Sequence, residues 1–383
     1  MPAGPFSGLL VVDLTRVLAG PFCTMTLTEL GARVIKVEHP DGGDDTRQFV
    51  PAWQGKSAYY LSLNRGKESI ALNLKTPRDR EMLLALVRAG DVLVENFRPG
   101  TMEDLDLGYD RLQRENPRLI YASVSGFGQT GPWSRKPAYD MIIQALGGLM
   151  SLTGHAGGPP TKSGTSIADL AGGLYATIGI AAALYQRERS GVGLKVDVAM
   201  LDSLLALLEH GIMRYAATGQ VPGPIGNRHP SITPFEVYST ADRPLIIAVG
   251  NDAMFVRLCE ALDRRALVSD LRYQTNRDRT QHADVLKADL EAVLQARPAA
   301  DWIEVLETAG VPCALVQTVA DAVAMPQVAA RNIIVTADGL RMVGNPIKLS
   351  DHPDVPTRPT APDLDADGDR IRREFGPKGD DAP

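Results

Sequence analysis

Between Lys162 and Arg187, Asp169 is the only Asp, Glu, Lys, Arg or His. It heads the run Leu170 to Tyr185, small, apolar and rich in Ala and Gly, whose pattern predicts a closely packed buried helix. Burial disfavours a charged carboxylate unless hydrogen bonds offset the cost. Two roles fit such an Asp. As an N-cap its side chain would take the free amide hydrogens of the helix it precedes. As a nucleophile, the same amides would orient a partly desolvated carboxylate. The two roles are compatible, and the rest of the chain must choose between them.

A second group with chemical potential is basic. Lys36, Arg47, Lys56, Arg65, Lys67, Lys75, Arg98, Arg135 and Lys136 fall near the ends of predicted strands and in the loops after them. Singly, each reads as an ordinary solvated charge. Gathered at the strand ends of an open α/β sheet, where ligands bind, they would suit a polyanion such as a nucleotide diphosphate with an added phosphate.

The elements that would position these groups alternate along the first half. Strands are predicted at Leu9–Leu14, Arg33–Glu38, Ser69–Leu74, Asp91–Glu95, Arg118–Val124 and Lys195–Met200. Helices between them include one opened by Ala19-Gly20-Pro21 and stopped by Gly31, and one opened by Thr76-Pro77 and stopped by Gly90. Tyr139-Asp140 to Leu146 reads as a further, amphipathic helix. This alternation predicts a doubly wound, Rossmann-like parallel sheet. Gly126-Phe-Gly128-Gln-Thr-Gly131 matches the dinucleotide fingerprint and follows a strand. Pro132 and Pro137 forbid the helix that must open there, which excludes that reading.

Leu201–Tyr215 reads as one long helix, and Val221 to Gly226 as a stiff connector. Beyond it, Phe235–Tyr238 and Leu245–Val249 form a predicted hairpin. Helices follow near 251–262, 281–296 and 299–309, with a strand at Val311–Val316, giving a smaller α+β domain. The expected division is 1–200 for the large domain, 201–225 for a linker helix, 226–320 for the small domain, and 321–383 for a return linker and a C-terminal segment completing the large domain. Asp363 to Pro383 reads as a solvated tail.

The 383 residues carry a net charge of −6, which argues against a nucleic-acid binder. The composition, 44% hydrophobic and 22% charged, is that of an ordinary globular protein. Cys23, Cys259 and Cys313 are isolated and the six His are scattered, so neither a disulfide framework nor a metal site is expected. No signal-type segment and no apolar stretch of membrane-spanning length is expected either, and the address reads as reduced and cytoplasmic.

Several motifs, in order along nearly the whole chain, resemble the family III CoA transferases of the formyl-CoA and dicarboxylate CoA transferase kind. They are Leu18-Ala-Gly-Pro21, Val34-Ile-Lys-Val-Glu38 with Gly42-Gly-Asp44 and Arg47, Leu63-Asn-Arg-Gly-Lys67 with Leu72-Asn-Leu-Lys75, and Glu95-Asn-Phe-Arg-Pro-Gly100. Ser125-Gly-Phe-Gly128, Ala168-Asp-Leu-Ala-Gly172, Gly193 to Asp202 and Asn345-Pro-Ile-Lys-Leu-Ser350 continue the match. The resemblance implies that Asp169 attacks an acyl-CoA thioester to give an acyl-aspartyl anhydride. Returning CoA thiolate then forms an aspartyl-CoA thioester, from which an acceptor carboxylate takes the CoA. Coenzyme A enters as acyl-CoA substrate, with no metal. It implies CoA contacts at Val17, Leu18, His39, Leu72, Asn73, Leu74, Lys75, Asn96, Phe97, Arg98, Lys136, Pro137, Ala138 and Tyr139. Tyr139 and Asp140 would line the reacting centre, and Gly250 would lie in a loop closing over it. It further implies an intertwined homodimer of interlocked rings.

The match has departures. Leu18 stands where formyl-CoA transferases carry Gln, Asp104 where they carry an Arg, and their glycine run is reduced to Gly250. These point away from oxalate, and Gly226-Asn-Arg-His-Pro-Ser231 resembles the dicarboxylate-using relatives, with Arg228 and His229 as substrate candidates and Arg228 set to pair with a second carboxylate. Succinyl-CoA with a small dicarboxylic acid is the expected pair. The same fold serves α-methylacyl-CoA racemases, whose Asp falls at Asp169 and whose His falls at Tyr139. Tyr, with an ordinary pKa near ~10, is a poor base at neutral pH, which argues against that alternative. His155 is the nearby His that could substitute. A CoA-binding protein without catalysis is a third reading, opposed by the retained Asp169.

Overall fold

The computed structural model describes residues 4–376. The chain divides into two compact units. The first gathers the residues up to Met150, Lys162–Gln220 and those from Pro326 on; the second holds Ser151–Thr161 and Val221–Met325.

In the first unit, β1 (Leu10–Asp13) leads through α1 (Ala19–Glu29) to β2 (Arg33–Glu38), and α2 (Ala58–Asn64) precedes β3 (Glu68–Ala71). Next come α3 (Pro77–Ala89), β4 (Val92–Glu95), β5 (Ile120–Ser125), α4 (Asp140–Leu146), α5 (Ile167–Ser190) and β6 (Lys195–Ala199). The strands are parallel throughout and lie in the order β3-β2-β1-β4-β5-β6. Val11, Val92 and Val94 pack toward α1 and α5, while Val12 and Leu93, one residue away, pack with Leu83, Leu86 and Val87 of α3. Opposite faces of each strand are thus buried under different helices, which explains the near-continuous apolar runs.

Local signals act as the sequence suggests in α3, where the Thr76 hydroxyl accepts the Asp79 amide hydrogen and Pro77 occupies the first turn. Helix α5 ends at Gly191 in the left-handed conformation (φ +72°). At Gly173 a Cβ would lie 2.6 Å from the Ala19 carbonyl oxygen, so only glycine allows α5 to cross α1 this closely.

Four expectations are corrected. First, α5 is long and apolar enough to cross a membrane by length and composition; its Ala168, Ala176, Ile180 and Ala183 instead pack into the sheet core. Second, the expected helix Leu201–Tyr215 is two helices, Met200–Leu207 and Glu209–Thr218, parted at Leu208, whose backbone (φ −89°, ψ 18°) leaves the helical region. Third, both fall in the first unit rather than in a separate linker, because Ser203 and Leu204 are buried there, while 151–161 falls in the second. Fourth, the segment from Asp363 is folded as far as residue 376. Asp365 and Asp367 accept the Ala71 and Ser69 amide hydrogens of edge strand β3 at 2.8 and 3.0 Å, and Ile371 of helix Gly368–Phe375 is fully buried. Those carboxylates satisfy open strand-edge donors that a solvated tail would leave bare. The rest of that expected tail lies outside the described residues.

The second unit is built on an antiparallel sheet in the order Cys313–Leu315, Leu245–Ala248, Phe235–Tyr238. Helices Asp252–Ala261, Ala283–Leu294 and Ala299–Thr308 bury Phe255, Leu290 and Trp302 in its core.

Candidate active site

The strand order reverses between β1 and β4, so the loops that leave their carboxyl ends diverge and open a crevice. Arg16, Val17, Leu18 and Ala19 from the first loop and Asn96, Phe97 and Arg98 from the second line one wall of a cleft. Ser125, Lys136, Pro137, Ala138, Tyr139, Met200 and Asp169 line the rest. A neighbouring cleft is lined by His39, Leu72, Asn73, Leu74 and Lys75, and shares Arg16 and Phe97 with the first. The residues expected to touch CoA therefore fall on two adjoining clefts at one edge of the sheet. No helix opens at Gly126 to Gly131; α4 begins only at Asp140.

Asp169 is half-buried and is the third residue of α5. It is not the N-cap, a position that Ser166 holds. Among the described residues no hydrogen bond reaches its carboxylate, so the capping reading does not hold. The segment ahead of it is fixed by α4. Gln144 Oε1 accepts the Ser163 amide hydrogen at 2.9 Å, and Asp140 Oδ1 accepts that of Ala168 at 2.9 Å. The other Asp140 oxygen accepts from Gln144 Nε2 at 2.6 Å. Burial, and then the Asp140 charge, push the Asp169 carboxyl up from 3.8 to about 7. Tyr139, just ahead of Asp140, is 74% exposed.

Tyr59 in α2 went unnoticed in the sequence. Burial, and then the charges of Asp169 and Asp140, push its phenol up to about 12, so it stays a neutral hydroxyl within electrostatic reach of both carboxylates. Its signal was faint: it lies just ahead of the Leu63 to Lys67 motif without being part of it. Arg16 was missed as well, although the residue that follows β1 at a reversal of strand order is a natural candidate.

Beneath the cleft lies a buried ionic cluster. Lys67 donates to Asp13 at 2.9 Å, to Thr24 at 2.8 Å and to Asn64 at 2.9 Å, and Lys36 donates to the Thr15 carbonyl at 2.7 Å and pairs with Asp44 at 3.0 Å. Burial would push the Asp13 carboxyl up, but the two lysines and the Thr15 and Thr24 hydroxyls outweigh it and hold it down at about 2. Arg47 pairs with Glu38, Arg65 with Glu29, and Lys56 with Asp363. Lys36, Lys67, Arg47 and Arg65 are thus committed to buried carboxylates inside the unit, which corrects the expectation that they face a polyanion, while Lys56 makes only an exposed surface pair. Arg98, Lys136 and Arg16 line the first cleft, and Lys75 and Arg16 the second.

Val17 holds φ +67°. For a β-branched residue this left-handed conformation costs on the order of 1–3 kcal/mol and persists only where the surroundings enforce it. Glu95, at the end of β4, accepts the Phe97 amide hydrogen at 2.8 Å and fixes the start of the loop that carries Phe97 and Arg98.

The remaining candidates lie in the second unit. Arg228 donates from Nε to Glu236 at 3.1 Å and from Nη2 to Asp284 at 2.7 Å, so two of its donor groups are taken up within this unit. His229 stacks on Phe235. Gly250 is exposed, with open space around it, next to Asn251, which caps the helix Asp252–Ala261. His155 also belongs to this unit. Among the described residues no three His, Cys, Asp or Glu side chains gather as a metal ion would need.

Comparison with known proteins finds relatives along nearly the whole chain. The model of CoA-transferase family III matches residues 6–368. An acetyl-CoA:oxalate CoA-transferase of Acetobacter aceti is 52% identical over 98% of this chain and 96% of its own. A succinate–glutarate CoA-transferase of Agrobacterium fabrum is 42% identical over 91% of this chain and 90% of its own. The crystal structure of a CAIB/BAIF family protein from Brucella suis superposes with a TM-score of 0.87 at 40% identity, covering 97% of this chain and all of that one.

Proposed function

The chain belongs to CoA-transferase family III, and we propose that it moves CoA from an acyl-CoA thioester to a dicarboxylic acid with Asp169 as the covalent carrier. The observation that carries this reading is a carboxylate free of hydrogen bonds, raised to about 7, in a cleft lined by Arg98 and Lys136. Desolvation leaves its oxygen more nucleophilic than an ordinary Asp, yet a large fraction is ionised at neutral pH.

Asp169 attacks the thioester carbonyl. The carbon–sulfur bond breaks, and an acyl-aspartyl anhydride forms with CoA thiolate. The thiolate attacks the Asp169 carbonyl and releases the donor acid, leaving an aspartyl-CoA thioester. The acceptor carboxylate attacks this thioester and expels the thiolate, which then takes the new acyl group and frees Asp169. No water, metal or redox partner enters the balance. Asp140 holds the segment that leads to Asp169 by accepting the Ala168 amide hydrogen.

The relatives bear on the acid. Their names include oxalate, succinate and glutarate, which keeps oxalate among the candidate acids alongside the larger dicarboxylates that the departures at Leu18, Asp104 and Gly250 favour. Oxalate is the first acceptor in this proposal, and succinate the second. Arg228, with Nη1 outside its bonds to Glu236 and Asp284, stays the candidate for the far carboxylate in this proposal. An intertwined homodimer is part of the proposal and is supported by exposed apolar side chains on long helices, among them Ile178 and Tyr185 of α5 and Met213 and Tyr215 beyond it. A reducing cytoplasmic setting suits Cys23, Cys259 and Cys313, all free thiols.

The test is isotope exchange. Labelled oxalate or succinate, incubated with its own unlabelled CoA thioester, enters the thioester pool if the enzyme is a transferase. Exchange absent with every acid, together with solvent deuterium entering the α-carbon of a branched acyl-CoA, would instead mark a racemase.

A further inference from the structure

Three consecutive residues at the strand reversal are gripped through their backbone by side chains from elsewhere. Asp13 Oδ1 accepts the Thr15 amide hydrogen at 2.9 Å, and Lys36 Nζ donates to the Thr15 carbonyl at 2.7 Å. Asn96 Oδ1 accepts the Arg16 amide hydrogen at 2.9 Å while its Nδ2 donates to the Arg16 carbonyl at 2.7 Å. Asp44 Oδ1 accepts the Val17 amide hydrogen at 3.2 Å. Asp13, Lys36 and Asp44 are themselves buried; Lys36 pairs with Asp44 at 3.0 Å, and Asp44 also accepts the Thr46 amide hydrogen at 3.0 Å. A strained residue persists only where its surroundings over-determine it, and Val17, at φ +67°, is the residue these bonds over-determine.

Asn96 is the part of the grip that crosses the crevice, since it follows β4 while Arg16 follows β1. Both ends of its carboxamide are taken up by Arg16. We propose that Asn96, with Asp44, is a positioning residue for CoA recognition that acts through Arg16 and Val17, holding the β1–α1 corner in the left-handed form that lines the cleft. Released, a β-branched residue returns to negative φ. That rotation would redirect Arg16 and Leu18, which flank Val17 on the cleft wall. The role in recognition rests on the transferase reading above.

Asn96→Ala tests it with two readouts on the full-length protein. In exchange kinetics, KM for acyl-CoA rises about tenfold while kcat stays within about twofold, the signature of lost binding rather than lost chemistry. A merely structural role would lower the yield of folded enzyme and leave KM unchanged. In urea unfolding, Val17→Gly is more stable than Val17→Ala when Asn96 is present, because only glycine is free of the left-handed penalty. Combined with Asn96→Ala, that difference disappears, because the corner has relaxed. An unchanged KM, or a glycine–alanine difference that is the same in both backgrounds, overturns the proposal. If Asn96→Ala does not fold, Asn96→Leu, which keeps the side-chain shape but neither donates nor accepts a hydrogen bond, is measured in its place with the same expectations. Unfolding needs no turnover, so it judges the clamp even where the exchange assay rejects the transferase.

Discussion

Asp140 accepts the amide hydrogen of Ala168 at 2.9 Å, and so holds in place the residue immediately before Asp169. The same carboxylate, second to burial, raises the pKa of Asp169. One side chain thus does two jobs, fixing where the Asp169 carboxylate stands and how readily it ionises.

The pH dependence follows directly. Asp169 must be ionised to attack, and its carboxyl sits at about 7. Values of kcat/KM for acyl-CoA should fall roughly tenfold per pH unit below that point and level off above it. A profile already flat at pH 5 would contradict the raised pKa.

Replacing Asp140 separates its two jobs. Asp140→Asn keeps an oxygen to accept the Ala168 amide hydrogen but removes a negative charge near Asp169, so the midpoint of the pH profile should move to lower pH. Asp140→Ala loses the acceptor as well, and should cost about 1 kcal/mol of stability besides. Rate profiles and urea unfolding of the two variants, side by side, check the distinction.

Stability should vary with pH in a defined sense. The folded state keeps the Asp169 proton up to about 7, while the unfolded chain gives it up near 3.8. Between those values the folded state binds more protons, so this residue makes stability fall as pH rises, and the penalty is complete above pH 7. Asp169→Asn cannot ionise; it should raise the melting temperature at pH 8 and change it little at pH 3.5.

The buried cluster carries its own prediction. Lys67→Ala would leave the Asp13 carboxylate, now paired with Lys67 at 2.9 Å, without its main counter-charge in the interior. Breaking a buried pair from one side costs about 3–5 kcal/mol. Urea unfolding should show a loss of that size; a loss under about 1 kcal/mol would mean that Lys36 and the Thr24 hydroxyl suffice to hold Asp13.

The parallel sheet was legible because strands buried on both faces leave apolar runs punctuated by Gly, Thr-Pro and Asp-Gly signals. Asp169 was legible because a carboxylate ahead of an uncharged helix is conspicuous. Of its environment, Asp140, 29 residues away, entered only through the family resemblance, and Tyr59 did not enter at all, because the folding that joins α4 and α2 to α5 leaves no local pattern. The basic residues show the limit from the other side. Lys36 and Lys67 stand at strand ends in the sequence, yet their partners Asp13 and Asp44 lie on other segments and neutralise them internally. The C-terminal acids misled for the same reason: Asp365 and Asp367 look solvated until the open edge of β3 is known.

The central claim is the covalent one, and intact-protein mass spectrometry tests it most directly. The protein is mixed with oxalyl-, succinyl- and acetyl-CoA in turn, quenched, weighed and digested for peptide mapping. The account predicts a hydroxylamine-labile acyl or CoA adduct on the peptide that contains Asp169, absent from Asp169→Ala. An adduct mapped to another residue, or turnover of these thioesters with the mass of the protein unchanged throughout, would contradict it.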